Sequence, residues 1–218
     1  MTGGDCAGAA AAPDFPASVL SGLAGVARAA GRPAAVAFAA AVDREGTSIA
    51  VAAFATFLAR QQESRVLIVD ANLRAPSQHA FAGVERAPGL VEVLQSGASR
   101  AATIHTAGDP RIQLLAAGSP AGNPERLLSP ESIREAIDGL GGFADWIVFD
   151  CPPVNAYPDA LSIAPACAAT VLVVRSGRTR REIVSAARRR LTEAGANVAG
   201  VILNRRRYYI PESLYRWL

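Results

Sequence analysis

Four places in the chain carry residues able to do phosphate or metal chemistry. In the run Arg44-Glu45-Gly46-Thr47-Ser48, Gly46 and Ser48 stand where the phosphate-binding pattern G-x-x-x-x-G-K-[ST] puts its second glycine and its hydroxyl. Thr47 occupies the lysine position, so the run has the backbone of an anion cradle without its charge. Asp70 and Asp150 each close an apolar run (RVLIVD and WIVFD), and Asn204-Arg205 closes a third (VAGVILN). A serine hydroxyl and carboxylates holding ordered waters suit magnesium, which keeps much of its hydration shell. Backbone N–H groups at a helix N-terminus suit a phosphate. Blander roles fit the same residues: Asp70 and Asp150 can cap loops at strand ends, Ser48 can cap a helix, and Asn204 can make a turn.

These residues need strands and helices to bring them together. Ala34 to Ala41 reads as a buried strand, and in Ile49 to Arg60 the residues Val51, Phe54, Ala55 and Leu58 recur at helical spacing. Strand, glycine-bearing loop and helix N-terminus therefore follow one another. Arg65 to Asp70, Ile112 to Leu115, Trp146 to Asp150, Thr170 to Val174 and Val198 to Leu203 read as further strands. Helices are expected over Ser18 to Ala30, Gly89 to Gln95, Ser132 to Leu140 and Thr179 to Ala194, with a turn at Asn123-Pro124. Apolar strands alternating with helices predict an α/β fold: a mostly parallel sheet with helices on both faces. Such sheets bind ligands beyond the carboxyl ends of their strands, where all four polar features fall. The 218 residues divide into an alanine- and glycine-rich tail (1–16), one domain (17–207) and a tyrosine-containing tail (208–218).

Composition narrows the setting. No apolar run reaches the roughly 18 residues that cross a bilayer, and the first residues lack a signal peptide's basic start, so a cytoplasmic protein is expected. Cys6, Cys151 and Cys167 have neither metal-ligand nor disulfide spacing. His79 and His105 stand alone. All 22 basic residues are arginine, and no lysine elsewhere in the chain can reach into the cradle. Arg175 to Arg190 gathers seven arginines against one acid, Glu182. That cluster suits a solvated helix face, a protein partner or an anionic membrane surface. With a net charge of +3 and no interleaved aromatics, nucleic acid is the least favoured partner.

Taken in order, these motifs resemble the bacterial tyrosine kinases (BY-kinases) of capsule and exopolysaccharide synthesis, within the deviant-Walker P-loop ATPases that also include division-site and plasmid-partition proteins. Arg65 to Pro76 (RVLIVDANLRAP) is similar to the family's strand followed by D-x-D-L-R-x-P. Asp145 to Pro153 (DWIVFDCPP) is similar to its Walker B strand, D-Y-I-I-I-D-T-P-P. Gly89-Leu90, Asn123-Pro124-Glu125, Asp159-Ala160 and Gly200 to Asn204 match the spacers. The resemblance implies a P-loop NTPase-like fold binding ATP and Mg2+. It implies that Gly46, Thr47 and Ser48, with Arg44 beside them, lie on the phosphates, and that Asn204 and Arg205 lie near the adenine. It further implies that Ser48, Asp70 and Asp150 serve the metal, with Asp70 and Asp150 also catalytic. Tyr208, Tyr209 and Tyr215 become phosphorylation candidates, with anchoring or packing as their alternative. The implied partner is the cytoplasmic segment of a membrane polysaccharide co-polymerase, alongside homo-oligomers, which would place the protein in the cytoplasm at the inner membrane.

The chain departs from the family at the site itself. Besides Thr47 for lysine, Arg44 stands where the family has glycine, and Asn72 replaces the second aspartate of D-x-D. No E-x-x-R-x-x-R helix occurs near the start, and three tail tyrosines replace a denser cluster. Arg44 is the residue able to swing a guanidinium onto the phosphates in place of the lysine. Three functions are thus expected to compete: a degenerate kinase-like regulator or scaffold, an active protein-tyrosine autokinase, and a partition-type ATPase switch. Val42 weakens the last, because it holds the position of the lysine such switches reach across a dimer with.

Overall fold

The computed structural model describes residues 17–28, 31, 33–96 and 99–205. The first tail and Tyr208, Tyr209 and Tyr215 lie outside them. In chain order the elements are α1 (Ala17–Arg28), β1 (Ala34–Ala40), α2 (Thr47–Gln61), β2 (Val66–Asp70), α3 (Gln78–Ala82), α4 (Leu90–Ser96) and α5 (Arg100–Thr103). There follow β3 (Ile104–Ala107), β4 (Asp109–Leu115), α6 (Pro124–Leu127), α7 (Pro130–Leu140), β5 (Trp146–Asp150), α8 (Asp159–Ile163), β6 (Ala169–Arg175), α9 (Arg181–Glu193) and β7 (Val198–Asn204).

The seven strands form one sheet in the order β3-β4-β2-β5-β1-β6-β7. Every pairing is parallel except β3 with β4 at one edge. Strands β1, β2 and β5 are buried along their whole length, which is why they read as unbroken apolar runs rather than as alternating ones. Alternate residues of β1 feed two cores. Ala35, Ala37 and Ala39 join Leu90, Ile133, Leu140, Ala187 and Leu191 under α4, α7 and α9. Val36 and Phe38 join Leu23, Val51, Phe54 and Leu58 under α1 and α2. Phe54 sits between Phe38 and Trp146, with ring centroids 5.3 and 6.1 Å away. Each such buried side chain contributes roughly 1.5–3 kcal/mol, and these contacts fix where α2 begins.

The expected α/β architecture is present, with differences in the short pieces. Strand β3 and helices α3, α5 and α8 were not anticipated, and Asn123-Pro124 opens the short helix α6 rather than a plain turn, with Pro124 at its first position.

Candidate functional site

The carboxyl ends of β1, β2, β5 and β7 bring the four polar features onto one edge. The backbone turns sharply after β1, and Gly46 caps α2 with φ 88°. Ser48 is therefore the second residue inside the helix and not its cap. Arg44 also takes a left-handed conformation, φ 63°, with its side chain exposed. That costs a non-glycine residue on the order of 1 kcal/mol, so the loop keeps a glycine's geometry without the glycine. Thr47 opens α2 and is buried.

The loop is held from inside by Glu45, which is 1% exposed. One oxygen accepts the N–H groups of Ala41 (2.7 Å) and Val42 (3.0 Å). The other accepts the N–H of Arg175 (3.1 Å) and the Thr179 hydroxyl. From the far side the Asn204 amide donates to the Glu45 carbonyl at 2.8 Å, while its oxygen accepts the Arg205 N–H. Both polar groups of Asn204 are thus spent on the loop and its own neighbour. A Cβ on Gly46 would fall 2.3 Å from the Asn204 nitrogen, so that position needs glycine on space as well as on φ.

Asp70 and Asp150 face each other in register across β2 and β5, both buried. Asp70 accepts the Ser77 and Gln78 backbone N–H groups through Oδ2, at 3.0 and 2.9 Å. The Gln78 side chain donates to Asp150 Oδ2 at 2.8 Å and to the Ser48 carbonyl at 3.1 Å. The Ser77 hydroxyl donates to that of Ser48 at 3.0 Å. Neither Asp70 Oδ1 nor Asp150 Oδ1 has a hydrogen-bond partner among the described residues. Burial raises the Asp70 carboxyl despite those backbone donors. Burial, then the charge of Asp70, pushes Asp150 up to about 7, with Ser48 and Gln78 pulling the other way.

Two donor-free carboxylate oxygens beside a serine hydroxyl form a hard-oxygen donor set that fits magnesium. Among the described residues no three acids, histidines or cysteines could hold a metal together. An ion there would complete its shell with water and phosphate oxygens. Ser48 and Asp150 border a cleft of about 520 Å³ that Arg44, Gly46, Thr47 and Asn72 also line, with Asp70 in register beside Asp150. Asn72, in place of a second acid, accepts the Ala75 N–H at 3.2 Å and closes a turn.

Sequence reasoning missed Gln78 and Glu45, which tie the acids and the loop together. The only local signal for the first was Pro76-Ser77, a helix-start pair. It also missed Arg74, which grips the fully buried Asp159 carboxylate through two nitrogens, reaches Glu125, and lies 4.7 Å over the Tyr157 ring. Cys151 is buried, and burial lifts its thiol far from reactivity. His79 and His105 join no such cluster among the described residues.

No family model matches the sequence. Tyrosine-protein kinase YwqD of Bacillus subtilis is 31% identical over 160 residues, 73% of this chain and 67% of the relative. Tyrosine-protein kinase CpsD of Streptococcus agalactiae is 30% identical over 164 residues, 75% of this chain and 71% of the relative. Among solved structures, the kinase domain of Escherichia coli tyrosine kinase ETK matches with a TM-score of 0.75 and 27% identity, over 81% of this chain and 69% of that one. None of the described helices is long and apolar enough to cross a membrane.

Proposed function

The chain belongs to the bacterial tyrosine kinases, and from that premise we propose that it is a degenerate member acting as a cytoplasmic regulator or scaffold of exopolysaccharide or capsule polymerisation and export. In this reading it holds magnesium-nucleotide weakly and transfers phosphate poorly. The observation that carries it is Thr47. A short neutral side chain, buried at the start of α2, stands where the family's lysine reaches the phosphates. Phosphoryl transfer rests chiefly on positioning and charge neutralisation, and losing one preorganised electrostatic partner costs roughly 10²–10³ in rate.

The chain's own residues still do part of the work. Gly46 lets the backbone approach a phosphate closely, and the first N–H groups of α2 point at it. Ser48, Asp70 and Asp150 would hold a magnesium ion, which would neutralise phosphate charge and help orient the transferring group. That intact acid pair favours the second reading, an active autokinase phosphorylating Tyr208, Tyr209 or Tyr215. As in the family, the partner would be the cytoplasmic segment of a membrane polysaccharide co-polymerase.

Calorimetric titration of ATP and ADP with magnesium, up to millimolar nucleotide, tests the assignment. Weak or absent binding, with no phosphotyrosine after incubation, is expected. Tight binding with a burst of phosphotyrosine would overturn it and put the autokinase first.

A further inference from the structure

Among the described residues, the densest run of arginines lies on α9 and the turn before it, outside the residues that line the nucleotide cleft. Helix α9 is fixed on its inner side: Ala187 and Leu191 are fully buried, Asn155 donates to the Ile183 carbonyl at 3.1 Å, and Arg190 donates to the Val154 carbonyl. Its outer side, with the turn before it, exposes Arg178, Arg180, Arg181, Arg188 and Arg189. Among the described residues only Arg189 of these five is in an ion pair, a 3.8 Å contact with Glu193 in which both side chains are mostly exposed. Such a pair contributes little. Three guanidinium groups on the helix and two on the turn before it therefore remain available to an external anion.

The shape of this face separates the anions that could use it. Arg181 and Arg189 line a shallow groove together with Glu182, Ser185 and Ala186. Eight residues of helix separate their Cα atoms by about 12 Å, the length of roughly four residues of extended chain. Among the described residues, none of the large apolar side chains that stand exposed, Val26, Phe81, Val201 and Leu203, is on α9 itself, so the helix carries no apolar wedge of its own for a lipid surface. Glu182 and Glu193 interrupt the charge, which a continuous anionic lattice such as a bilayer or duplex DNA would meet unfavourably. A discrete segment can place its acids between them. The guanidinium fork takes a carboxylate through two parallel bonds.

We propose that the outer face of α9 is a docking surface for an acidic peptide segment of a partner protein, with Arg181 and Arg189 as its two main carboxylate anchors about four extended residues apart. The site is distinct from the phosphate cradle and does not depend on nucleotide being bound.

A fluorescein-labelled twelve-residue peptide, Glu-Ser-Gly-Ser three times over, is the probe, titrated with the full chain by anisotropy. The expected result is saturable binding that weakens about tenfold or more in Arg181→Gln/Arg189→Gln. It should be unchanged in Arg134→Gln, an exposed arginine on α7, and lost with the peptide's glutamates changed to glutamine. Arg181→Lys/Arg189→Lys should recover only part of the affinity, because it keeps charge and loses the fork. All these side chains are exposed, and circular dichroism checks that each variant folds. No binding at high protein concentration overturns the proposal, as does equal binding of the glutamine peptide or an unaffected double glutamine variant. Preferential binding to phosphatidylglycerol vesicles or to duplex DNA in parallel titrations overturns it in favour of those surfaces.

Discussion

Replacing Asp150 with asparagine should make the metal-free protein more stable at alkaline pH, the opposite of what most buried substitutions do. Asp150 and Asp70 lie side by side, both buried, and burial together with the charge of Asp70 moves the Asp150 carboxyl from 3.8 to about 7. An acid whose folded pKa lies above its unfolded value holds its proton more tightly when folded. Its contribution to stability is complete below about pH 4 and is lost as pH climbs to about 7. The displacement corresponds to on the order of 4 kcal/mol of strain carried by the ionised, metal-free protein. Asparagine removes the charge but keeps an oxygen for the Gln78 side chain, now 2.8 Å from Asp150 Oδ2. Urea unfolding in a chelator should therefore find Asp150→Asn more stable than the parent at pH 8 by up to a few kcal/mol, with the gap closing toward pH 4. Millimolar magnesium should stabilise the parent at pH 8, less at pH 6 where the proton competes, and leave the variant unmoved. A variant no more stable than the parent at pH 8, or a gap that does not change with pH, would refute the reasoning.

Three further substitutions probe separate parts of the same edge. Thr47→Lys should tighten Mg-ATP binding about ten- to a hundredfold, the equivalent of one charge-assisted hydrogen bond, as read by calorimetry. Gly46→Ala should cost roughly 2 kcal/mol in urea unfolding, because the residue sits at φ 88° and its Cβ would displace the Asn204 amide from the Glu45 carbonyl. Arg74→Ala should cost about 3 kcal/mol in urea unfolding, since it leaves the fully buried Asp159 carboxylate without its guanidinium; a loss near zero would refute that account of the pair.

What could be seen in the chain beforehand follows from how far each residue's role reaches. The long strands were visible because burial on both faces leaves nothing polar inside them, and Asp70, Asp150 and Asn204 were visible as the polar residues that end such runs. Strand β3 was not, since its four residues are partly exposed and lie at the edge, where no apolar run is required. Helices α3 and α8, five residues each, are too short to show a period. Gln78 and Glu45 look ordinary in sequence, because what they do is decided by partners 72 and 130 residues away. The departures at Thr47 and Arg44 were legible as residues, but their consequences were not. Arg44 could have forced the loop into another path, yet Glu45 supplies four bonds and Asn204 a fifth, all independent of residue 44. Those bonds hold the cradle in the conformation a glycine would have taken. The loop's shape is thus held by Glu45 and Asn204, whereas in the proposed reading its affinity for phosphate would have needed a lysine at position 47. On that reading shape and affinity are separable, which is why Thr47→Lys alone is expected to restore the second without rebuilding the first.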